Sequence, residues 1–189
     1  MVRAGESGPE VALASRRTRR GELAWGLPKG LVEHAEAPDE TAVREVRHEL
    51  VPTRGRLRSS ERIAAVLDLP PEVVGKVIVF EGPEGPVAAV VPSGCEADRA
   101  RVARASRQAD AEAVSDERAS ELTGYLAESI PPAGLPDEFS VILDRSLHRD
   151  AVLYFPGGEA RAVLKIRGKD LASATRATVA SIAVAPGRR

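Results

Sequence analysis

The sequence predicts an α+β fold, a compact mixed β-barrel-like sheet with surrounding helices. Three observations carry that expectation. Short apolar runs of strand type and short amphipathic stretches follow one another in mixed order, which disfavours a doubly wound sheet, where strands and helices alternate strictly. Two of the runs, KVIVF at 76–80 and VAAVV at 87–91, are joined by EGPEGP, a Gly/Pro turn of hairpin type. Aromatic residues are only 3% of 189, so the core must be assembled from Val, Leu, Ile and Ala.

In chain order, residues 1–10 (MVRAGESGPE) are polar, with Gly and Pro, and read as a frayed start. Residues 11–31 hold the apolar stretch VALA, the basic run Arg16-Arg17-Thr18-Arg19-Arg20, then LAWGLPKGL. A helix is predicted over residues 39–50. Asp39 is its candidate N-cap, and Ala42, Val43, Val46 and Leu50 form a stripe at spacings of three and four. VPTRGRLRSS then reads as a linker and sets a boundary near residue 56. That divides the chain into an N-terminal extension, 1–56, and a domain, 57–189.

Within the second part, Ser60–Leu67 reads as a short helix ended before Pro70-Pro71. The hairpin follows. Asp98–Ser106 is helical with Val102 inward, and Ser115 can cap a helix to about Leu122, because a serine oxygen accepts from free first-turn amides. Val141–Leu143, Val152–Phe155 and Ala162–Ile166 are strand runs. Asp170 caps a last helix, and Val179–Val184 closes the chain.

The length fits one domain, or one with a decoration, and is enough to bury a core without disulfide or metal. A single cysteine, Cys95, cannot form an internal disulfide, so the default compartment is a reducing cytoplasm. No apolar run approaches the ~18 residues of a membrane span, and the stretch after Met1 lacks the apolar core of a signal peptide. These features exclude a secreted disulfide knot, a membrane protein and a highly basic nucleic-acid binder. A net charge of −1 still permits a local basic face. Cys95 follows no nucleophile motif, and His148 reads as a surface residue.

The stretch RRTRRGELAWGLPKGLVEHAEAPDETAVREVRHEL resembles the Nudix hydrolase signature, with Gly30, Glu36 and Arg44-Glu45-Val46 at the family's spacing. On a helix, Glu45 and Glu49 are four apart and share one face, where two carboxylates can hold a hard cation such as magnesium. The sequence departs from the family at His48, where a glutamate is usual, and at Val51, where a glycine closes the helix. Nothing after residue 51 resembles the rest of a Nudix domain, so the match is a truncated segment. The plainer reading makes Arg44, Glu45, Arg47 and Glu49 solvated surface charges.

Residues 57–186 resemble the YbaK/EbsC-type, prolyl-tRNA-synthetase-associated editing domain, in an ordered series of segments. SSERIAAVLDLPPEVVGKVIVF is similar to the opening helix and the strand with the family's lysine. ASELTGYLAESIPPAGLP is similar to the Thr-Gly-Tyr segment and proline loop, and SVILDRSLHRDAVLYFPGGEARAVLKIRGKDL resembles the closing strands and final helix. The resemblance implies a metal-free, cofactor-free hydrolase that deacylates mischarged aminoacyl-tRNA. Lys76 matches the family lysine and Asp144 an acidic position near its pocket, which makes these two the candidate catalytic residues. Thr123, Gly124, Tyr125, Glu128, Ser129, Pro132, Gly157 and Gly158 match the substrate-binding elements. Glu128 replaces the glycine that usually stands four residues before the proline, where a side chain obstructs close backbone approach. Each position also has a structural explanation: a solvated strand-start lysine, a turn-forming Asp, helix capping at 123–125, a hairpin at 157–158.

The implied partners are tRNA and prolyl-tRNA synthetase. Two basic patches suit phosphate contacts: Arg161, Lys165, Arg167 and Lys169 around the last strand run, and Arg99, Arg101, Arg104 and Arg107. Scarce aromatics argue against a single-strand reader. Two other functions stay open, a magnesium-dependent nucleotide diphosphate hydrolase of Nudix type and a non-catalytic tRNA-binding module.

Overall fold

The computed structural model describes residues 59–159 and 162–187 in full, and the backbone of three earlier strands, β1 (Ala14–Arg17), β2 (Leu23–Gly26) and β3 (His48–Pro52). The expectations at residues 1–13, Thr18–Arg20, Gly30, Glu36, Arg44, Glu45, Arg161, the helix over 39–47 and the linker over 53–58 lie outside the described residues. β1 and β2 pair antiparallel, with Ala14 opposite Gly26.

The last three residues of the helix predicted at 39–50 are strand. His48–Pro52 runs antiparallel to β10 (Ala162–Arg167), with Leu50 opposite Leu164 and Val51 opposite Val163. A stripe at spacings of three and four is only a local preference, and the open edge of β10 supplies a backbone ladder that outweighs it. Glu49 therefore sits opposite Lys165 in a sheet.

α1 (Ser60–Leu67) begins at Ser59, whose hydroxyl accepts from the Arg62 amide, and ends at Asp68 in the left-handed region. A 3-10 turn, Pro71–Val73, leads into the hairpin β4 (Gly75–Gly82) and β5 (Gly85–Pro92). After β6 (Glu96–Ala97) comes α2 (Arg99–Ser106), capped by Asp98 through the Arg101 amide at 2.8 Å. β7 (Glu112–Ala113) and α3 (Asp116–Thr123) follow, α3 capped by Ser115. β8 (Ser140–Asp144), β9 (Val152–Pro156) and β10 come next, then α4 (Gly168–Ala174), β11 (Thr178–Ala180) and β12 (Ala183–Val184).

Two sheets carry the core. One has five strands in the order β11-β8-β5-β4-β7 and mixes parallel with antiparallel pairs, and the other has the order β3-β10-β9. A single parallel bridge, Val74 with Tyr154, links them. The class is α+β as expected; the described strands form separate open sheets and close no barrel. Strand alternation divides the residues of the larger sheet between two packing layers. Phe80, Val87, Ala89, Val91 and Ile142 pack under Val102 and Ala103 of α2. Val90 and Leu143 face the other way, onto Leu153, Phe155, Leu164 and Ile166 of the smaller sheet, and Val79 meets Ala119, Tyr125 and Ile130.

Two further expectations change in detail. Asp170 lies inside α4 rather than capping it. Gly168 opens the helix because a Cβ there would lie 1.8 Å from the Leu147 carbonyl oxygen. Asp170 instead puts a carboxylate in the first turn, where the helix dipole favours it. The closing strand is split: β11 pairs parallel with β8 and β12 antiparallel with β6, and the break at Ser181-Ile182 is where the Asp144 carboxylate takes up backbone amides.

Candidate active site

The Thr-Gly-Tyr segment is the end of α3. Thr123 Oγ1 donates to the Ala119 carbonyl at 2.7 Å and accepts from the Tyr125 amide at 3.2 Å. Gly124 takes φ +74, the left-handed conformation that ends the helix, and its amide closes onto Ser120 O at 2.9 Å. The chain is thereby turned so that the Tyr125 ring enters the core, 5% exposed, with its hydroxyl donating to Gly134 O at 3.4 Å.

A 3-10 turn, Ala127–Ser129, follows, with Glu128 exposed on it. Ser129 is 1% exposed, as buried as the Ile130, Pro131 and Pro132 that follow it. Its carbonyl accepts the Gly158 amide at 3.1 Å. Gly158 has φ +85, and a Cβ there would lie 2.8 Å from Tyr125 Cε1 and 3.6 Å from Pro131 Cγ. Gly157 turns the chain against Ala162, whose atoms are 2.9 Å from its own missing Cβ. Thr123, Gly124, Tyr125 and Ser129 thus meet Gly158 of a second segment in one cluster, with Pro132 and Gly157 adjacent to it in sequence. Within it the Ser129 hydroxyl is buried without a hydrogen-bond partner. An unsatisfied buried hydroxyl costs about 1–3 kcal/mol, so this group stands out from its saturated surroundings.

Lys76 is the second residue of β4. Its side chain is 29% exposed, and its ammonium is 3.9 Å from a Glu61 carboxylate oxygen on α1. Partial burial pushes the Glu61 carboxyl up. Hydrogen bonds from its own backbone amide and the Ser59 hydroxyl, with the Lys76 charge, outweigh that and hold it below the usual glutamate value. β4 is drawn against β9 here because Gly75 has no side chain: a Cβ would fall 2.0 Å from a Phe155 ring carbon. The bridge of Val74 to Tyr154 sets β4 and β9 side by side, two residues before Lys76 on one strand and before Pro156 on the other. Pro156 leads directly into Gly157-Gly158. Alternation along β4, however, directs Lys76 with Ile78 and Phe80 to the face opposite Val77 and Val79, which pack toward Tyr125.

Asp144 ends β8 and is 4% exposed. Its Oδ1 accepts from the Ser146 amide at 2.9 Å and the Ser146 hydroxyl at 2.6 Å, and its Oδ2 from the Ile182 and Ala183 amides, both at 2.8 Å. Burial pushes this carboxyl up, but those four donors prevail and hold it below the ordinary aspartate value. Lys76 is registered with Val91, and Val90 with Leu143, so Lys76 and Asp144 flank β5 at the same end of the sheet, two strands or about 10 Å apart. They do not share a contact: the carboxylate partner of Lys76 is Glu61, and the acceptors of Asp144 are occupied locally.

Sequence reasoning missed Glu61, Gly75 and the loop at Ile182-Ala183. None carries a local signal, since each acts through a segment remote in sequence. Among the described residues no group of three or more His, Cys, Asp or Glu could hold a metal ion. Nor is any described helix long and apolar enough to cross a membrane.

A mixed, incompletely closed sheet with a Thr-Gly-Tyr helix end packed on a glycine turn defines an α+β domain of editing type. The chain belongs to the aminoacyl-tRNA editing domain family, whose model matches residues 55–174. The NUDIX domain model matches residues 1–106, overlapping the first at 55–106. Among solved structures, the hypothetical protein APE2540 is similar with a TM-score of 0.69 at 24% identity, over 75% of this chain and 94% of that one. A protein provisionally described as a trans-editing enzyme for prolyl tRNA synthetase has a TM-score of 0.63 at 24% identity, over 71% of this chain and 85% of that one. At these identities the likeness is one of fold. A curated relative, provisionally described as mutator protein MutT4 of Mycobacterium tuberculosis (strain CDC 1551 / Oshkosh), is 51% identical over 39 residues. That match spans 21% of this chain and only 16% of the relative's length.

Proposed function

We propose that the protein is an aminoacyl-tRNA deacylase that hydrolyses the ester of mischarged tRNA. The supporting observation is the cluster in which the Ser129 carbonyl binds the Gly158 amide against Tyr125, within residues that match the editing family. In this reading water attacks the ester carbonyl carbon, a tetrahedral oxyanion forms, and the bond to the ribose oxygen breaks, that oxygen taking a proton. Lys76, at the start of β4 and on the strand face opposite Tyr125, is assigned the positive charge that answers the oxyanion or the terminal ribose. A pre-positioned donor of this kind is worth about 100- to 1,000-fold in rate. The cluster from Thr123 to Pro132, Glu128 included, with Gly157 and Gly158, shapes the aminoacyl pocket. Asp144 is a positioning residue, holding the Ile182-Ala183 segment at the end of β8. Prolyl-tRNA synthetase, which charges the tRNA concerned, is the proposed partner, and the cytoplasm the proposed location. The extension 1–56 and the domain 57–189 are proposed as separate inheritances, with β3 of the extension docked on β10.

The test is release of amino acid from mischarged alanyl-, cysteinyl- and seryl-tRNA by the wild type and by Lys76→Ala. Release that drops at least a hundredfold in the variant is expected. No release by the wild type, or equal release by both, overturns the reading.

The NUDIX match and the 39-residue identity favour a second reading, magnesium-dependent hydrolysis of a nucleoside diphosphate derivative. Activity of that kind would vanish with chelator and survive Lys76→Ala.

A further inference from the structure

From the exposed face of α2, we infer a docking surface for the phosphodiester backbone of tRNA, centred on Arg101, Arg104 and Arg107. This rests on the proposal that tRNA is the substrate and adds where its helical body lies. The three guanidinium groups are exposed and spaced by three residues along a helix and its C-cap, so they are neighbours on one surface. They hold no ion pair or side-chain hydrogen bond with any described residue.

Most other cations here are tied down. Arg99 is held by Asp110 and by Glu112 at 2.9 Å, Arg118 by Glu81 at 2.8 Å and Glu121 at 3.2 Å, and Lys169 by Asp150 at 2.7 Å. The acidic groups around α2 are likewise occupied: Asp98 caps the helix, and Asp110 and Glu112 bind Arg99. Their charges are thus partly cancelled where they stand, and those of Arg101, Arg104 and Arg107 are not. The remaining unpaired arginines, Arg62, Arg145, Arg167 and Arg176, stand on separate elements and form no cluster on one helix.

Shape agrees with charge. A shallow groove of about 670 Å³ runs beside the helix; Arg104 lines it with Arg99, Asp98, Asp110, Gln108 and three alanines, while Arg101 and Arg107 lie outside it. The small exposed side chain of Ala100 lets a polymer backbone lie close to the helix, with Arg104 at the groove wall. The groove is wide and open, as suits a phosphate ridge better than a small molecule held on all sides. Phosphate contacts of this type position an RNA without reading its sequence, which is what an editing enzyme needs from the body of its substrate.

The experiment measures binding of deacylated tRNA to the full chain across a salt series, for wild type, the triple variant Arg101→Ala/Arg104→Ala/Arg107→Ala, and Arg118→Ala as a paired-cation control. Each phosphate contact contributes about −0.9 to the slope of log K against log salt for a duplex. The triple variant is expected to lose about 2 to 3 units of slope and to bind at least about tenfold more weakly at low salt. Arg118→Ala should keep the wild-type slope. Equal slopes in wild type and triple variant, or no tRNA binding by the wild type, overturn the docking surface. So does loss of binding to polyglutamate alone, which would assign the face to an acidic protein. An aminoacyl-adenosine substrate, which carries none of the tRNA phosphodiester body, separates this from the deacylase reading. The triple variant should hydrolyse it as the wild type does. Wild-type failure on it and on every mischarged tRNA would sink the deacylase, while the salt slopes still decide the docking surface.

Discussion

The cluster around Tyr125 and Gly158 and the outer face of α2 are built on opposite principles. The cluster is defined by backbone and shape. A left-handed glycine ends α3, one amide-to-carbonyl bond ties Gly158 to Ser129, and the closest approaches are set by side chains that are missing. The α2 face is defined by charge, with three arginines in solvent and no carboxylate answering them. The first has little tolerance for added atoms, and the second has little dependence on them. The difference separates selection of the aminoacyl group, a matter of fit, from retention of the polyanion, a matter of salt-sensitive attraction.

Substitutions can break that division in order of expected effect. The largest is at Lys76, the cation assigned to the chemistry, which lies on the strand face opposite the Tyr125 cluster. Lys76→Ala should cut deacylation by about 100- to 1,000-fold, equivalent to about 2.7–4 kcal/mol, with melting temperature little changed. Single-turnover release of amino acid measures it. Equal loss of rate and of fold would reassign the lysine to structure.

Asp144 comes next. Removing its carboxylate strands two backbone amides and the Ser146 donors, so Asp144→Ala should cost about 2–4 kcal/mol in denaturant unfolding. The pH dependence has a definite sign. The folded-state pKa lies below the ordinary aspartate value, so its contribution is complete above about pH 4 and is lost as pH falls through the folded value. Asp144→Asn should therefore be less stable than wild type at neutral pH, and the gap should close in acid. A constant gap across that range would show that the ionised form is not what stabilises.

Gly158→Ala tests the fitted region itself. A Cβ at φ +85 is strained, and it would press on the Tyr125 ring at 2.8 Å. A loss of about 1–3 kcal/mol in stability is expected, with deacylation falling further than the melting temperature alone predicts. The smallest effect has the opposite sign. Ser129→Ala removes a buried hydroxyl that has no partner, and should raise stability by about 1 kcal/mol. A concurrent drop in deacylation would show that substrate completes this hydroxyl, whereas unchanged turnover would make it a defect of packing. On the charged side, the salt slopes of the α2 triple variant remain the decisive measurement.

Much of the fold is legible in the sequence, and its limits are physical. The helices at 60–67, 98–106 and 115–122 are legible because their signals are local: Ser115 caps the third as read, and Ser59 and Asp98 cap the other two, each through an amide three residues away. The hairpin at 76–91 is legible because its turn is local. The site is legible only in part. Thr123-Gly124-Tyr125 stands out as a motif, but that its target is Gly158 depends on a bond between segments 29 residues apart. The strand at His48–Pro52 was not legible, since the edge of β10 that recruits it lies more than 100 residues on. Of the two basic patches seen in the sequence, the first has Lys169 paired with Asp150. The other survives through Arg101, Arg104 and Arg107, while Arg99 is lost to Asp110 and Glu112.

The sequence alone therefore determined the α+β class, the local elements, the kinship with editing domains and which residue types were available for chemistry. Those properties are written in spacings of one to four residues, within reach of capping, turn geometry and side-chain periodicity. Tertiary structure decided which of those residues meet. It placed Ser129 under Gly158, kept Lys76 and Asp144 on opposite sides of β5, and left three arginines of α2 without partners among the described residues. Pairing, burial and the choice of which charges stay free depend on contacts between distant segments, and no local pattern encodes them.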